Sequence, residues 1–185
     1  HGGVEHMIVD FEDKTLDKLT YDDKILIKAF GKGLQLADFP DVSVYNLDPR
    51  VLRAWNIKVT GGKLEVPVAL MVPSALMGSG LGHGDPGTGD YDITTQDPKA
   101  VKRYGLDRLR FGDFVAIMDA DNTYGRHYFE GAVTIGIVAH SDSFLSGHGP
   151  GVSTLLSSKN GRLKPRVSKD ANLGTLLKIG RSRKK

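Results

Sequence analysis

The sequence predicts a mainly β protein, built from two small packed sheets or barrels with a few short helices. Three observations carry this prediction: seven short runs of alternating or β-branched residues, 23 glycines among 185 residues, and only two helical patterns. A hydrophobic share of 39% is sufficient for a globular core. Glycine at this frequency indicates many tight turns between short strands.

The predicted strands are short runs that end at Gly, Asp or Pro, at residues 7–11, 24–30, 42–45, 64–72, 114–118, 132–139 and 152–156. Residues 59–64 and 158–163 have the composition of hairpin turns, because Gly61–Gly62 and Asn160–Gly161 tolerate positive φ. Pro67 inside a strand pattern indicates a sheet edge or a bulge. The two helical patterns, 48–55 and 97–104, each begin with a capping Asp followed by Pro.

Residues 16–29 resemble residues 106–119 at an offset of 90, with the same Leu, Asp, aromatic and Ile/Val positions. Two interpretations stand: similar turn chemistry reached independently, or two β units of similar build. We accordingly expect a first β unit at 1–75 and a second at 76–185 with glycine-rich loops. The alternative is one compact domain, 1–175, followed by a basic tail, 176–185.

Composition excludes several classes of protein. There are no cysteines, so disulfides, thiolate zinc sites and cysteine nucleophiles are absent. We expect a cytoplasmic protein without membrane contact, because no apolar run approaches the ~18 residues of a membrane span. Most of the net charge of +3 lies at residues 178–185. Nucleic-acid binding is not expected, because no strand interleaves basic and aromatic residues.

Three polar clusters follow or precede predicted strands. Asp119, Asp121 and Asn122 follow the strand at 114–118, and their oxygen ligands suit a hard divalent cation; alternatively they only form a turn. His140 and Asp142 follow the strand at 132–139, and His148 and Gly149 lie in the next glycine-rich turn. That second set suits zinc or manganese with an open coordination position, or else it is a polar surface loop. Asp90 and Asp92 end a third, glycine-rich segment, 78–92.

Spacing also predicts how these clusters meet. We expect a hairpin between 113–119 and 129–139, with segment 78–92 and loop 119–127 facing one concave site. His140, Asp142 and His148 are expected to converge on the turn at 147–151, where Pro150 and its flanking glycines let the chain fold back tightly.

Several motifs together resemble a known family. They are HGGVEH at 1–6, GDYDI at 89–93, DADN-x-YGR at 119–126, GAVTIG at 131–136, HSD at 140–142 and GHGPGV at 147–152. The combination resembles the prokaryotic family called domain of unknown function 4438. That resemblance implies a mainly β fold. It also implies that the protein continues N-terminally by about one further domain, which would pack as a partner against these residues. It implies no reaction.

A fainter likeness is to the acetamidase/formamidase hydrolases. Pro73, the loop at 78–89, GDYDI and the strand that ends at Asp119 follow the order of that family. The chain departs from it where Asp90 replaces an Asn and where a later His and Gly-Asp-Gly-Glu pattern is missing.

The first functional hypothesis is a metal-dependent hydrolase of a small polar or amide-containing molecule, using Mg, Mn or Zn. Its metal ligands would be Asp92, Asp119, Asp121, His140 and Asp142. The catalytic residues would be His140, Asp121 and Arg126, with Arg126 binding an anionic group of the substrate. The ligand-binding residues would be Asp90, Asn122, His148 and Gly149. The alternative is a non-catalytic β module that binds a small ligand or a partner chain, and either protein could form a homo-oligomer.

Overall fold

The computed structural model describes residues 9, 11–80 and 84–182, which contain four short helices and ten strands. The helices are α1 (Asp13–Leu16), α2 (Pro49–Ala54), α3 (Pro98–Tyr104) and α4 (Leu173–Leu177). Single 3-10 turns lie at Ser74–Leu76, Leu106–Arg108 and Gly180–Ser182. The strands are β1 (Ser43–Val44), β2 (Lys58–Thr60), β3 (Lys63–Val68), β4 (Leu70–Pro73), β5 (Met77–Gly80), β6 (Asp90–Ile93), β7 (Phe114–Asp121), β8 (His127–Val138), β9 (Gly151–Ser158) and β10 (Leu163–Val167).

The strands form two sheets, which confirms the mainly β prediction. The larger sheet has the order β4-β7-β8-β9-β6-β5, with β1 added on β9, and the smaller sheet has the order β10-β3-β2. Strands from both sides of residue 75 share each sheet, because β4 pairs with β7 and β3 pairs with β10. These pairings tie the two predicted β units together.

The predicted hairpin between β7 and β8 is confirmed, with Phe114 opposite Ile137 and Met118 opposite Val133. The register shifts after Met118, where Asp119 has a positive φ of 57°. Val138 and Ile135 are both buried although they belong to separate clusters. The larger sheet is therefore covered on both faces, which explains the uninterrupted apolar runs in its central strands.

The core has two parts, one on each face of the larger sheet. The first lies between the two sheets and contains Trp55, whose ring stacks on that of Phe114 with centroids 4.1 Å apart. The indole Nε1 donates a hydrogen bond of 2.9 Å to the Pro67 carbonyl. The second part lies on the other face and includes Tyr91 and Val152. Alternation along β7 supplies both parts, because successive side chains point to opposite faces.

Both predicted helices form as expected. The Asp48 carboxylate accepts a hydrogen bond from the Arg50 N–H at the start of α2, and the Asp97 carboxylate accepts one from the Lys99 N–H at the start of α3. Proline occupies the first turn of each, where its missing N–H has no intrahelical role. The hairpin of β2 and β3 also forms, and Pro67 lies beyond the part of β3 that β2 covers.

Several predicted strand features differ in the structure. The single strand predicted at 64–72 is divided into β3 in the smaller sheet and β4 in the larger sheet. Residues 158–163 turn the chain but do not form a hairpin, because β10 leaves β9 and pairs with β3 in the smaller sheet. Residues 24–30 run without pairing to any described strand. The predicted strand at 7–11 lies mostly outside the described residues. Among the described helices, none combines the length and the apolar character that a membrane span requires.

Candidate functional site

Strand β6 carries the two carboxylates at the centre of the candidate site. Asp90 pairs with Ser153 and Asp92 pairs with Gly151 on β9, so β9 fixes the position of both residues. Side chains alternate along a strand, which puts Asp90 and Asp92 on one face and Tyr91 on the other. Asp92 is buried and Asp90 is partly exposed, so the pair reaches from the interior to the surface.

His140 leaves the end of β8 and turns its ring toward both carboxylates. Its Nε2 lies 2.9 Å from Asp90 Oδ2 and 3.2 Å from Asp92 Oδ1. Its Nδ1 lies 2.9 Å from the Ser141 carbonyl oxygen, an acceptor, so Nδ1 carries a proton and donates it. In the neutral imidazole this tautomer leaves the lone pair of Nε2 directed at the two carboxylates.

His148 approaches Asp92 from the opposite side. Its Nδ1 lies 2.9 Å from Asp92 Oδ2, so the two oxygens of Asp92 each face one imidazole. The loop that carries His148 is fixed by Gln96, whose Nε2 donates to the carbonyls of Leu145 and His148 at 2.9 and 2.8 Å. The amide of Gln96 thereby restricts the position from which His148 meets the carboxylate.

Asp142 closes the start of the same loop rather than joining the carboxylates. Its Oδ1 accepts a hydrogen bond of 2.5 Å from the Thr95 hydroxyl and one of 2.8 Å from the Ser143 N–H. Gly149 passes so near the Ile93 carbonyl that a Cβ at position 149 would overlap it. Of the three residues predicted to converge, His140 and His148 meet at Asp92, whereas Asp142 instead contacts Thr95 and Ser143. Asp142 and Gly149 shape the loop around the two histidines.

Gly151 provides the space in which His140 and Asp90 meet. A Cβ at this position would overlap His140 Nε2 and Asp90 Oδ2. Both atoms belong to flexible side chains, so they would move aside rather than unfold β9.

We expect Gly151→Ala to separate His140 from Asp90 and, at the cation site proposed below, to weaken Mn²⁺ binding at least about tenfold, because groups that orient metal ligands have effects of this size. Isothermal titration with MnCl₂ measures the change. Gly84→Ala is the matched control, since a Cβ there meets nothing within 4 Å. An unchanged affinity in Gly151→Ala would contradict the role assigned to this glycine.

One group among the described residues has the composition and spacing of a metal site. Ligand atoms of Asp90, Asp92 and His140 all lie within 4.8 Å of one another. Two carboxylate oxygens and one imidazole nitrogen form a donor set that suits Mn²⁺ or Zn²⁺ and leaves coordination positions for water. The site also has the outer support that metal ligands require, because the Ser141 carbonyl holds His140 and His148 holds Asp92.

Asp121 lies in a separate, buried polar network on the face of β6 that carries Tyr91. Its Oδ1 accepts hydrogen bonds from the hydroxyls of Thr123 and Ser157 at 2.6 and 3.0 Å. Burial alone would raise the pKa of Asp121, but these hydrogen bonds and the nearby His127 outweigh it and lower the pKa below its usual value. Asp121 is therefore a charged structural acceptor inside the sheet.

Asn122 extends this network to Tyr91. Its Nδ2 donates hydrogen bonds of 2.6 Å to the Tyr91 hydroxyl and 2.9 Å to the Thr154 hydroxyl. Burial raises the pKa of Tyr91, so its hydroxyl keeps its proton. Arg126 lies over the Tyr91 ring, 5.9 Å from its centroid, and its guanidinium donates to the Gly78 carbonyl. These contacts place the tip of the β7–β8 hairpin against β5 and β6. The acidic side chains of segment 78–92 and of loop 119–127 nevertheless lie on opposite faces of β6 rather than in the one concave site that was predicted.

The predicted site residues thus fall into two groups on opposite faces of β6. Asp90, Asp92, His140 and His148 meet on one face, while Asp121, Asn122 and Arg126 contact Tyr91 or its neighbours on the other. Asp119 belongs to neither group, because its Oδ1 accepts the Gly131 N–H across the hairpin bulge. Gln96 was not predicted from the sequence. Gly151 was predicted only as one of the glycines that let the chain fold back beside Pro150, and not as the residue whose missing side chain makes room for His140 and Asp90.

Comparison with known proteins places the chain in a family. Residues 1–53 match the N-terminal domain of unknown function 4438 (DUF4438), and residues 54–177 match the C-terminal one. The crystal structure of TM1086 is similar, with 42% sequence identity and a TM-score of 0.87. The match covers 97% of this chain and 62% of that chain, so this chain spans less than two thirds of the length of TM1086.

No curated protein matches the chain, so the likeness to acetamidase/formamidase hydrolases stays a prediction. The family matches cover the motifs at 89–93, 119–126 and 147–152 that the sequence analysis singled out. The chain therefore belongs to the DUF4438 family.

Proposed function

We propose that the chain is a hydrolase of a small polar molecule that depends on a divalent cation held by Asp90, Asp92 and His140. One observation carries the proposal: His140 Nε2 faces both carboxylates while its Nδ1 is committed to the Ser141 carbonyl. Two carboxylates this close repel each other unless a positive charge lies between them. Either an imidazolium or a bound cation supplies that charge, and the donor set favours the cation.

The ligand types narrow the choice of ion. Imidazole nitrogen is a better ligand for Mn²⁺ or Zn²⁺ than for Mg²⁺, which prefers an octahedral shell of oxygen atoms. We therefore propose Mn²⁺ or Zn²⁺ among the three ions that the sequence suggests. A cation of this kind, when bound, lowers the pKa of a coordinated water and polarises a carbonyl oxygen.

The residues around the ligands have distinct proposed tasks. His148 orients Asp92 through the contact between Nδ1 and Oδ2, so that Oδ1 stays directed at the site. Asp90 is the more exposed carboxylate, and its Oδ1, the oxygen not directed at His140 Nε2, is proposed to accept the proton of an attacking water. The Arg126 guanidinium contacts Tyr91 and the Gly78 carbonyl on the other face of β6, so we assign it no part in this ion site. The amide class of substrate rests on the likeness of GDYDI and the strand after it to the amide hydrolases.

Titration of the purified, chelator-treated protein with MnCl₂ and ZnCl₂ tests the ion site. We expect one ion per chain, and at least about 100-fold weaker binding in His140→Ala and in Asp92→Asn, because each change removes a ligand. His127→Ala is the matched control, since His127 is an exposed histidine on the other polar network. Equal affinity in all four proteins would refute the site.

Turnover distinguishes the hydrolase from a binding module. The ion-loaded protein is offered small amides and esters, and hydrolysis is followed by release of amine or acid. We expect turnover that is lost in His140→Ala and kept in His127→Ala. If the wild type binds an ion but hydrolyses neither amides nor esters, the result would favour the non-catalytic β module that binds a small ligand. Absence of ion binding would leave an imidazolium–carboxylate pair as the state of the site.

A further inference from the structure

Residues 24–30, the arm, are an apolar segment that the described residues cover only in part. The arm has the sequence KILIKAF and forms no regular secondary structure. Leu26 is 98% exposed and Ile27 is 60% exposed, and the flanking Ile25 and Phe30 are about half exposed. Large aliphatic side chains placed together in this way form a docking surface far more often than a stable solvent-exposed face.

The backbone of the arm is equally unsatisfied within the part of the chain that the structure describes. Its N–H and carbonyl groups make no backbone hydrogen bond to a described residue. The arm leaves the body at Gly31, which has a φ of 85° and lies against the Leu47 carbonyl. A segment whose backbone groups are not paired with any described strand offers the hydrogen-bonding groups that a neighbouring β-strand would use.

The turn that precedes the arm repeats the turn that precedes β7. In the first turn the Thr20 N–H donates to Asp23 Oδ2 at 2.8 Å, and in the second the Arg110 N–H donates to Asp113 Oδ2 at 2.9 Å. The residue before each Asp has a positive φ, 70° at Asp22 and 75° at Gly112. The sequence similarity at an offset of 90 is therefore also a similarity of structure.

The strand that follows the second turn shows what such a segment becomes when its partners are present. β7 begins one residue after Asp113, lies between β4 and β8, and buries Val115 and Ile117 completely. Ile25 and Ile27 occupy the equivalent positions of the arm. The same local design thus precedes a central strand in one place and an exposed segment without regular secondary structure in the other.

The arm and β7 fall in different family matches. The arm falls within the N-terminal DUF4438 match, whereas β7 and its partners lie within the C-terminal match. TM1086 contains more than a third of its chain beyond the matched part. Polypeptide of this length is enough for a second β unit of the size that β7 belongs to.

We propose that the arm is a β-strand of the N-terminal family domain, completed by strands of the same polypeptide outside these 185 residues. The arm then joins the two domains physically, because it enters the body directly at Gly31. Burial of its four large apolar side chains in the N-terminal sheet holds that domain against the C-terminal unit.

Hydrogen exchange on two polypeptides tests the proposal: the 185-residue chain and the full product of the reading frame that encodes it. We expect the amides of 24–30 to exchange at least about 100-fold more slowly in the full product, because a paired strand opens far less often than an open one. The amides of β7 serve as the internal control, since they are paired in both polypeptides. Equal exchange of the arm in both would overturn the proposal.

Two variants, one in the arm and one elsewhere, distinguish pairing of the arm within its own polypeptide from pairing with a second copy of the chain. Leu26→Asp is expected to lower the melting temperature of the full product and to leave that of the 185-residue chain unchanged. Val59→Asp is the matched control, because Val59 is also exposed but lies on the edge strand β2. Concentration-dependent protection of 24–30 in the short chain, together with a dimer by light scattering, would assign the arm to a second copy and overturn the proposal.

Discussion

Replacing Trp55 with alanine is expected to lower the free energy of unfolding by about 3–5 kcal/mol, the usual loss for a large aromatic in a packed core. Trp55 is fully buried between the two sheets and stacks on Phe114. Alanine leaves a cavity there and also leaves the Pro67 carbonyl without the indole donor. Urea denaturation followed by circular dichroism measures the change, because the tryptophan signal is absent from the variant.

Trp55→Phe is the informative companion, since it keeps an aromatic ring against Phe114 and removes only the Nε1 donor and part of the volume. We expect the free energy of unfolding of Trp55→Phe to lie between that of the wild type and that of Trp55→Ala. A change below about 1 kcal/mol in Trp55→Ala would mean that the contact between the sheets contributes little to stability, contrary to the packing described here.

Asp121→Asn is expected to cost about 1–3 kcal/mol at pH 7, because it removes a charged acceptor of hydrogen bonds from Thr123 and Ser157. The size of this cost should depend on pH. Burial raises the pKa of Asp121 in the folded protein, but hydrogen bonds from Thr123 and Ser157 lower it by more, so the pKa lies below its ordinary value. A carboxyl of this kind stabilises the fold above its ordinary pKa of about 3.9 and loses that contribution as pH falls toward the folded value.

The difference in unfolding free energy between wild type and Asp121→Asn should therefore be full at pH 6 and shrink steadily below pH 4. Denaturant curves at several pH values measure it. Asp170→Asn provides the control, because Asp170 is exposed and should show a small difference at every pH. A cost for Asp121→Asn that stays constant down to pH 3 would contradict the charged state assigned to Asp121.

Local sequence chemistry was sufficient for much of the fold. The helices α2 and α3 follow from an Asp cap and a Pro in the first turn, which act within four residues. The β7–β8 hairpin follows from two apolar runs joined by a polar turn. The partner of β10 could not be predicted in this way, because a turn at Asn160–Gly161 fits a hairpin as well as it fits a change of sheet.

The candidate site was predicted only in part, for a reason that lies in strand geometry. Residues two apart share a face, so Asp90 with Asp92 is a sound pair. Whether Asp121 joins that pair depends on the face of the sheet on which its side chain lies. The bulge after Met118 alters the alternation of side chains along β7 and so changes that face. Spacing along one strand therefore identifies each group, but only the sheet order shows that the two groups lie on opposite faces.

The parallel pairing of β3 with β10 has a consequence for the time course of folding. Leu64 and Leu163 are adjacent in the smaller sheet although roughly 100 residues separate them, a separation that makes loop closure slow and entropically costly. The β2–β3 hairpin therefore has to wait, with one edge open, until the residues through Val167 have left the ribosome. During synthesis that open edge is exposed to wrong pairing with a neighbouring nascent chain.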